Sequence, residues 1–344
     1  MEFLSKIEEI KNLQVKNKNI LYLFVIIFLG TCIYILSRQD QSITRTDRRD
    51  FSIEDTSAVI KVTLSSKAPE IAVLDRQNEN SWIVNGKYKA RKSGIFYLLQ
   101  TLQRMEIAHP VPLSMRDNVI GNLAVKGIKV EVELKTGENK IFYVGGENKE
   151  LTATFMMIQG ASEPYAVHIP GFKGYLSGRF FTQEYLWRDK TVINYDNRNI
   201  ASIKMLYNSI NEKDESFQIT KTNLGFQLSD FEAKEIIEHN QKALETYIAS
   251  FRKLYAESFV TGMLNTDSLI KEHPLFELSV STLDNQTTAI KVFNKKAEKT
   301  IYVDGDITMK DPDRMFAFVN NQDWMVIQTN TFKKVMKGLT ELKK

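Results

Sequence analysis

The sequence predicts an α+β protein in which an N-terminal transmembrane helix precedes two tandem, duplicated, mostly antiparallel sheet-plus-helix domains. Three observations lead to this fold class. An apolar run without charge or proline lies near the N-terminus, at Ile20–Leu36. Beyond it, short strand patterns are grouped around one principal amphipathic helix, which is typical of α+β folds. The order of these patterns then repeats once along the chain.

The apolar run, ILYLFVIIFLGTCIYIL, is 17 residues long. At about 1.5 Å per residue a helix of this length covers roughly 26 Å, enough for the hydrocarbon core of a bilayer. We therefore expect residues 1–19 to form a tail, residues 20–36 a transmembrane helix and residues 37–57 a linker. A cleaved signal peptide and a lipoprotein signal at Cys32 are the alternatives. The long charged leader and the apolar residues after Cys32 favour an uncleaved helix.

The orientation of this helix does not follow from charge bias, because four lysines precede the run and four arginines follow it. A short N-terminal tail before a large C-terminal part is the usual arrangement of a single-pass protein. We expect the N-terminus in the cytoplasm and the rest of the chain outside it.

The remainder of the chain predicts two α+β repeats, residues 58–190 and 191–344. Ile60-Lys61-Val62 opens the first repeat and Ile203-Lys204-Met205 the second. The alternating strand Val130–Leu134 is matched by Phe276–Val280. In the first repeat we expect strands at Val59–Leu64, Ile71–Asp75, Ser81–Val84, Ile128–Lys135, Lys140–Val144, Ala153–Ile158 and Tyr165–Ile169, and a helix at Lys92–Met105. In the second we expect a longer helix, about Phe231–Leu254, and a long loop, Asn294–Arg314.

Composition limits the classes of partner. The chain has 46 basic and 42 acidic residues, a net charge of +4, which is too mild for a dedicated nucleic-acid-binding protein. Its single cysteine lies in the apolar run, so the folded part must be stabilised by core burial without a disulfide. We expect no nucleic-acid partner.

Patterns that would indicate catalysis or metal binding do not occur. None of the four histidines has a second histidine or a cysteine at metal-ligand spacing, and the chain has no G-x-S-x-G elbow. The sequence therefore predicts a non-enzymatic protein with no catalytic residue, no metal and no cofactor.

Two clusters are candidates for an interaction surface. Lys87, Lys89, Arg91 and Lys92 place four cations in six residues and could contact anionic head groups or an acidic partner; a solvated turn before a helix is the simpler interpretation. The second cluster holds His168, Phe172, Tyr175 and Trp187. Around the loop H-I-P-G-F-K-G-Y, two glycines permit a tight bend and the aromatic residues could face a ligand or cap a core.

Four stretches together carry a family resemblance: W-I-V-N-G-K-Y-K-A-R at 82–91, N-L-A-V-K-G-I-K-V-E at 122–131, H-I-P-G-F-K-G-Y-L at 168–176 and W-R-D-K-T-V at 187–192. The chain resembles the domain of unknown function 4340 family, found in envelope proteins of Gram-negative gliding and gut bacteria. The resemblance implies a membrane-tethered periplasmic domain, often in tandem. It implies no activity and transfers no site residues.

From these observations we expect a single-pass inner-membrane protein whose C-terminal part is periplasmic and which binds or scaffolds other envelope components. It contacts the membrane through Ile20–Leu36, and its partners are envelope or inner-membrane proteins. A role accessory to an ABC-type transporter or to gliding or secretion machinery would fit the resemblance. The alternative is a module that binds a small envelope ligand, a glycan or lipid, in an aromatic-lined cleft.

Overall fold

The computed structural model describes residues 29–31, 50–209, 212–232, 234–261, 269, 272–303 and 306–343. The chain divides into two units, Met1–Trp187 and Arg188–Lys344. Each unit contains its own large antiparallel sheet, so each is described by itself.

From Asp50 onward, the first unit contains nine strands and three α-helices. The strands are β1 (Val59–Ser65), β2 (Ile71–Asn78), β3 (Ser81–Val84), β4 (Tyr88–Lys89), β5 (Glu106–Pro110), β6 (Ile128–Leu134), β7 (Asn139–Glu147), β8 (Thr154–Ile158) and β9 (Tyr165–His168). The helices are α1 (Lys92–Arg104), α2 (Leu113–Lys126) and α3 (Glu184–Trp187). The strands form one sheet in the order β4-β3-β2-β1-β6-β7-β8-β9-β5.

The two faces of this sheet are covered by different helices. In β7, Phe142 lies in the main core with Leu98 and Leu102 of α1. The next residue, Tyr143, packs against Val119 and Leu123 of α2. Because neighbouring residues of a strand point to opposite faces, α1 and α2 cover opposite sides of the sheet.

The second unit contains eleven strands and three α-helices in its described residues. The strands are β10 (Thr191–Ile193), β11 (Ile200–Tyr207), β12 (Phe217–Thr222), β13 (Gly225–Asp230), β14 (Ile236–Ile237), β15 (Leu254–Tyr255), β16 (Ser258–Phe259), β17 (Phe276–Thr282), β18 (Thr287–Val303), β19 (Asp306–Val319) and β20 (Asp323–Gln328). The helices are α4 (Gln241–Ala249), α5 (Thr329–Phe332) and α6 (Leu339–Leu342). Nine of the strands form the order β14-β13-β12-β11-β17-β18-β19-β20-β16, and β10 pairs with β15.

The core of the second unit lies between this sheet and α4. Phe217 and Phe251 are both buried and meet Tyr247 edge to face, with ring centroids 5.9 and 5.2 Å from it. The hydroxyl of Tyr247 donates to the carbonyl oxygen of Val335 at 3.0 Å. Burial raises the pKa of Tyr247 well above its ordinary value, so this hydroxyl stays a donor. It ties the C-terminal segment to α4.

The predicted fold class requires correction. The described chain is mostly antiparallel sheet, arranged in two nine-stranded sheets, and helices are its minor component. Among the described residues, no helix has the length and apolarity needed to cross a bilayer. The helix predicted at residues 20–36 lies outside the described residues except for 29–31.

Two predicted elements of the second unit are wrong for local reasons. The predicted helix at Phe231–Leu254 is interrupted, since Ile236–Ile237 pairs with β13 as an edge strand. Helix α4 begins only after Asn240, whose side chain accepts from the amide of Ala243 at 3.2 Å as an N-cap. The predicted loop Asn294–Arg314 instead belongs to the long strands β18 and β19.

Candidate interaction surface

Helix α1 has one buried and one exposed side. Ile95, Leu98 and Leu102 recur at helical spacing and are buried in the core. The intervening Phe96 and Tyr97 are 59% and 53% exposed, and their rings meet edge to face with centroids 5.5 Å apart. Two large aromatic side chains therefore lie together on the outer side of the helix.

Arg179 joins these rings to the loop after β9. Its guanidinium carbon lies 4.5 Å from the ring centroid of Phe172 and 5.8 Å from that of Tyr97. Its Nη1 donates to the Thr101 hydroxyl at 3.0 Å. Burial lowers the pKa of Arg179, and the neighbouring charge of Arg104 acts in the same direction. An arginine nevertheless stays charged at physiological pH, so the surface holds a fixed cation between two rings.

The loop that carries Phe172 and Tyr175 is shaped by glycine and by one buried hydroxyl. Gly174 has φ +150°, and a Cβ there would lie 3.0 Å from the Phe172 ring. The hydroxyl oxygen of buried Thr154 accepts from the amides of Leu176 at 2.7 Å and Ser177 at 3.2 Å. This hydroxyl holds the end of the loop against β8.

The charge of this region is strongly one-sided. The sequence has no aspartate or glutamate from Asn80 to Met105 or from Pro164 to Gln183. The cations of these two segments are Lys87, Lys89, Arg91, Lys92, Arg104, Lys173 and Arg179. The two segments meet where Arg179 contacts Tyr97. We call the set Lys89, Lys92, Phe96, Tyr97, Phe172, Lys173 and Arg179 the cation–aromatic surface.

A pocket of about 220 Å³ adjoins this surface between α1 and the β3–β4 hairpin. Its apolar lining comes from Trp82, Ile95, Phe96 and Leu99, and its polar lining from Glu79, Asn80, Ser81, Lys89 and Lys92. Arg76 covers the Trp82 ring with its guanidinium carbon 4.8 Å from the centroid. The pocket is therefore mainly apolar, with two lysines and one carboxylate in its lining.

The lysines of the predicted cluster are exposed, whereas its arginine is half-buried. Lys87 lies in the turn before β4 with its Nζ 4.7 Å from the Tyr88 ring centroid. Lys89 lies in β4, and Lys92 is the first residue of α1. Arg91 is half-buried, and its amide donates to the Trp187 carbonyl at 2.6 Å.

The second predicted cluster is divided by the structure. Phe172 and Tyr175 are exposed in the loop, and His168 is a half-buried residue at the end of β9 opposite Glu106 of β5. Trp187 is corrected from surface to core: it is 1% exposed, and its Nε1 donates to the Phe181 carbonyl at 2.9 Å. An indole with its N–H satisfied is a stable core residue.

Phe96, Tyr97 and Arg179 were not among the predicted residues. The helical stripe Ile95, Leu98 and Leu102 leaves Phe96 and Tyr97 on the other side of α1, so periodicity could have identified them. No sequence signal places Arg179 against Tyr97, because the two residues are 82 positions apart (179 − 97).

The described residues contain no group of three histidine, cysteine, aspartate or glutamate side chains that could hold a metal ion. The chemistry of the cation–aromatic surface is that of non-covalent contact: rings that prefer to leave water, and cations that attract negative charge.

Comparison with known proteins identifies a family. No curated protein and no solved structure matches this chain. The family described as Domain of unknown function (DUF4340) matches residues 82–277, which is more than half of the 344 residues and includes helix α1 and the loop that carries Phe172. The chain belongs to the DUF4340 family.

Proposed function

We propose that this protein is a non-enzymatic binding or scaffolding component of the cell envelope and that the cation–aromatic surface is its contact surface. The observation that carries the proposal is Arg179, held between Phe172 and Tyr97 beside the exposed Phe96. Aromatic residues and arginine contribute most to the binding energy of interfaces.

The energetics of the free surface favour a partner. Burying exposed apolar surface against a partner lowers the free energy by roughly 25 cal/mol for each Å² removed from water. Arg179 is already ordered by its contacts with both rings and with Thr101, so binding would cost little of its conformational entropy. A preformed aromatic and cationic surface is therefore suited to binding without rearrangement.

The place of action is proposed from the sequence. The apolar run Ile20–Leu36 is suited to membrane contact, which would hold the folded units at the inner membrane with the N-terminus in the cytoplasm. Envelope or inner-membrane proteins are then the expected neighbours, including those of a transporter or of gliding or secretion machinery.

The second candidate function is the binding of a small envelope ligand. The pocket beside Phe96 favours it, because mainly apolar lining with a few polar groups is typical of ligand sites. Its volume of about 220 Å³ is below the usual range of roughly 300–1,000 Å³, so it would hold one ring or one head group.

Photocrosslinking in living cells tests the leading proposal. A photoreactive residue is placed at Phe96 and, as a matched control, at Val125 of α2, which is also 59% exposed but lies on the opposite side of the sheet. We expect discrete adducts, to protein or to lipid and identified by mass spectrometry, at position 96 and few at position 125. The proposal fails when both positions give the same adducts or none.

The alternative makes a different prediction. Leu99 lines the pocket, so Leu99→Trp should fill the pocket and abolish the binding of a small ligand there. Contacts made by Phe172, which lies outside the pocket, should persist in this variant. If Phe172→Ala instead abolishes the adducts at position 96 while the pocket is unchanged, the cation–aromatic surface is the contact surface.

A further inference from the structure

We propose that the cation–aromatic surface lies against the negatively charged head groups of a phospholipid membrane. This inference rests on the proposed function, since it names the partner of the same surface. The chemistry recognised is an array of phosphodiesters next to an apolar layer.

Local charge is the first argument. The chain as a whole is nearly neutral, yet two acid-free segments hold seven of its cations, and Arg179 of one segment contacts Tyr97 of the other. Each lysine or arginine near an anionic membrane contributes roughly 1 kcal/mol, which is about a fivefold gain in binding. A few such residues acting together make charge the main determinant of binding.

The exposed rings are the second argument. Phe96, Tyr97, Phe172 and Tyr175 are all exposed, on one side of α1 and in one loop. Aromatic side chains settle at the boundary between head groups and acyl chains, where an apolar ring and a polar edge are both accommodated. Cations beside aromatic residues are the composition of interfacial membrane-binding surfaces.

The hydrogen-bonding character separates lipid from protein. The charged groups of the surface are lysines and arginines, which donate only. A protein segment would present its own backbone N–H donors and require acceptors in return, whereas phosphodiesters only accept. The charged groups of the cation–aromatic surface all donate, and the one carboxylate in the lining of the adjoining pocket is that of Glu79. The surface therefore fits lipid phosphate better than a peptide that also presents donors.

The reach of the chain is the fourth argument. Thirteen residues (37–49) separate the apolar run from Asp50, where the described part of the first unit begins. Fully extended, they span at most about 45 Å. The first unit, which carries the surface, is thus the unit that the proposed membrane contact would keep next to the bilayer.

The test uses the full-length protein in vesicles. Cys32, the single cysteine, is replaced by serine, and an environment-sensitive fluorophore is attached to cysteine introduced at Phe96 or, as control, at Val125. Vesicles are made of neutral phosphatidylcholine or of phosphatidylcholine mixed with phosphatidylglycerol, each with nitroxide lipids as quenchers. We expect several-fold stronger quenching at position 96 in the anionic vesicles only, and little at position 125 in either.

Charge reversal provides the second arm. Lys89→Glu with Lys92→Glu should reduce quenching at position 96 about tenfold or more, since each reversal removes an attraction and adds a repulsion. Lys126→Glu with Lys149→Glu changes the net charge equally at exposed lysines outside the cation–aromatic surface and should leave quenching unchanged. Circular dichroism shows whether each variant is folded.

The outcomes separate this inference from the proposed function. Equal quenching at positions 96 and 125, or in neutral and anionic vesicles, overturns the lipid assignment. Absence of quenching at 96 together with protein adducts at Phe96 in cells also overturns it, and assigns the surface to an acidic protein. Absence of both quenching and adducts overturns the proposed function as well.

Discussion

The loop after β9 is held in place by one buried hydroxyl and by one glycine. Thr154 is fully buried, and its Oγ1 accepts from two successive amides, those of Leu176 and Ser177. Two residues earlier, Gly174 lets the Phe172 ring fold back over the chain. Strand β8 therefore fixes the loop that carries the exposed rings. A surface whose side chains are already positioned can bind a partner without rearrangement.

Replacement of this hydroxyl should loosen the loop. Thr154→Val leaves the buried amide of Leu176 without an acceptor, which costs about 1–3 kcal/mol of unfolding free energy. We expect faster hydrogen exchange at Leu176 and Ser177 and a lower denaturation midpoint. Thr154→Ser keeps the oxygen and should exchange at nearly the parental rate; equal exchange in all three proteins would contradict this role.

Trp187 and Tyr175 make a matched pair of aromatic residues with opposite environments. Trp187→Ala removes a 1% exposed core residue and should cost about 3–5 kcal/mol, while Tyr175→Ala, 42% exposed, should change stability by less than about 0.5 kcal/mol. Urea denaturation measures both. A small loss for Trp187→Ala would contradict its assignment to the core.

At this scale a sequence can nominate residues whose chemistry is local, but it does not show contacts between distant residues. Lys89 and Lys92 could be recognised because a run of cations beside a predicted helix is visible in the sequence. Trp187 was misassigned because nothing in W-R-D-K-T-V shows that its indole enters a core built mainly from residues far earlier in the chain. Arg179 was missed for the same reason.

At the scale of elements, the most distinctive feature is the ribbon formed by β18 and β19. Among the residues that the structure describes, β18 pairs with β17 up to Val292 and β19 pairs with β20 from Arg314, and between these limits the two strands pair with each other. A two-stranded ribbon is marginally stable in water. Its base is fixed by the Lys295–Asp311 ion pair, with Nζ and Oδ2 3.0 Å apart and both side chains mostly buried.

This ion pair predicts an acid-sensitive ribbon. Burial raises the pKa of Asp311, but the hydrogen bonds from Lys295 and from the amides of Asp313 and Arg314 outweigh it, and the net pKa is lowered. A carboxylate with a lowered folded pKa contributes stability above its unfolded value of about 3.9, and that stability is lost as pH falls through the folded value. The protection of β18 and β19 against hydrogen exchange, relative to the intrinsic exchange rate at each pH, should therefore fall below about pH 4.

Substitution tests the same contact. Asp311→Asn leaves Lys295 mostly buried without its counter-charge and should cost about 1–3 kcal/mol and remove the acid dependence of exchange. Asp313→Asn, an exposed neighbour, is the control and should retain that dependence. Unchanged pH behaviour in Asp311→Asn would assign the acid sensitivity to other groups.

The elements themselves were predicted unevenly. Strand Ser81–Val84 is found as predicted, and the helix predicted at Lys92–Met105 is α1, because alternation and a clear apolar stripe identify both. Helix α2 was missed: its only buried residues are Val119 and Leu123, so the pattern was too sparse. The ribbon was predicted as a loop because the polar run N-K-K-A-E-K-T at 294–300 gives no alternation of apolar and polar residues that would identify a strand.

At the scale of the whole molecule, the proposed location rests on the apolar run rather than on the sheets. We expect the full-length protein to stay in the inner-membrane fraction after washing with alkaline carbonate, because apolar contact resists conditions that remove ionic contacts. A phosphatase that is active only outside the cytoplasm should be active when it is fused to the C-terminus. Release by carbonate or an inactive fusion would contradict the proposed location.

The boundary between the units predicts which fragments fold. The core of the first unit extends from Phe51 to Trp187, and its last residue contributes a buried indole and a carbonyl that accepts from Arg91. Residues 50–187 should therefore unfold cooperatively in urea, whereas residues 50–181 should lack a cooperative transition. The deletion of six residues removes α3 and exposes the surface of Phe181 and Gly94 that Trp187 covers. A cooperative transition of similar midpoint in the shorter fragment would show that the unit ends before Trp187 and that α3 is an addition to a core already complete.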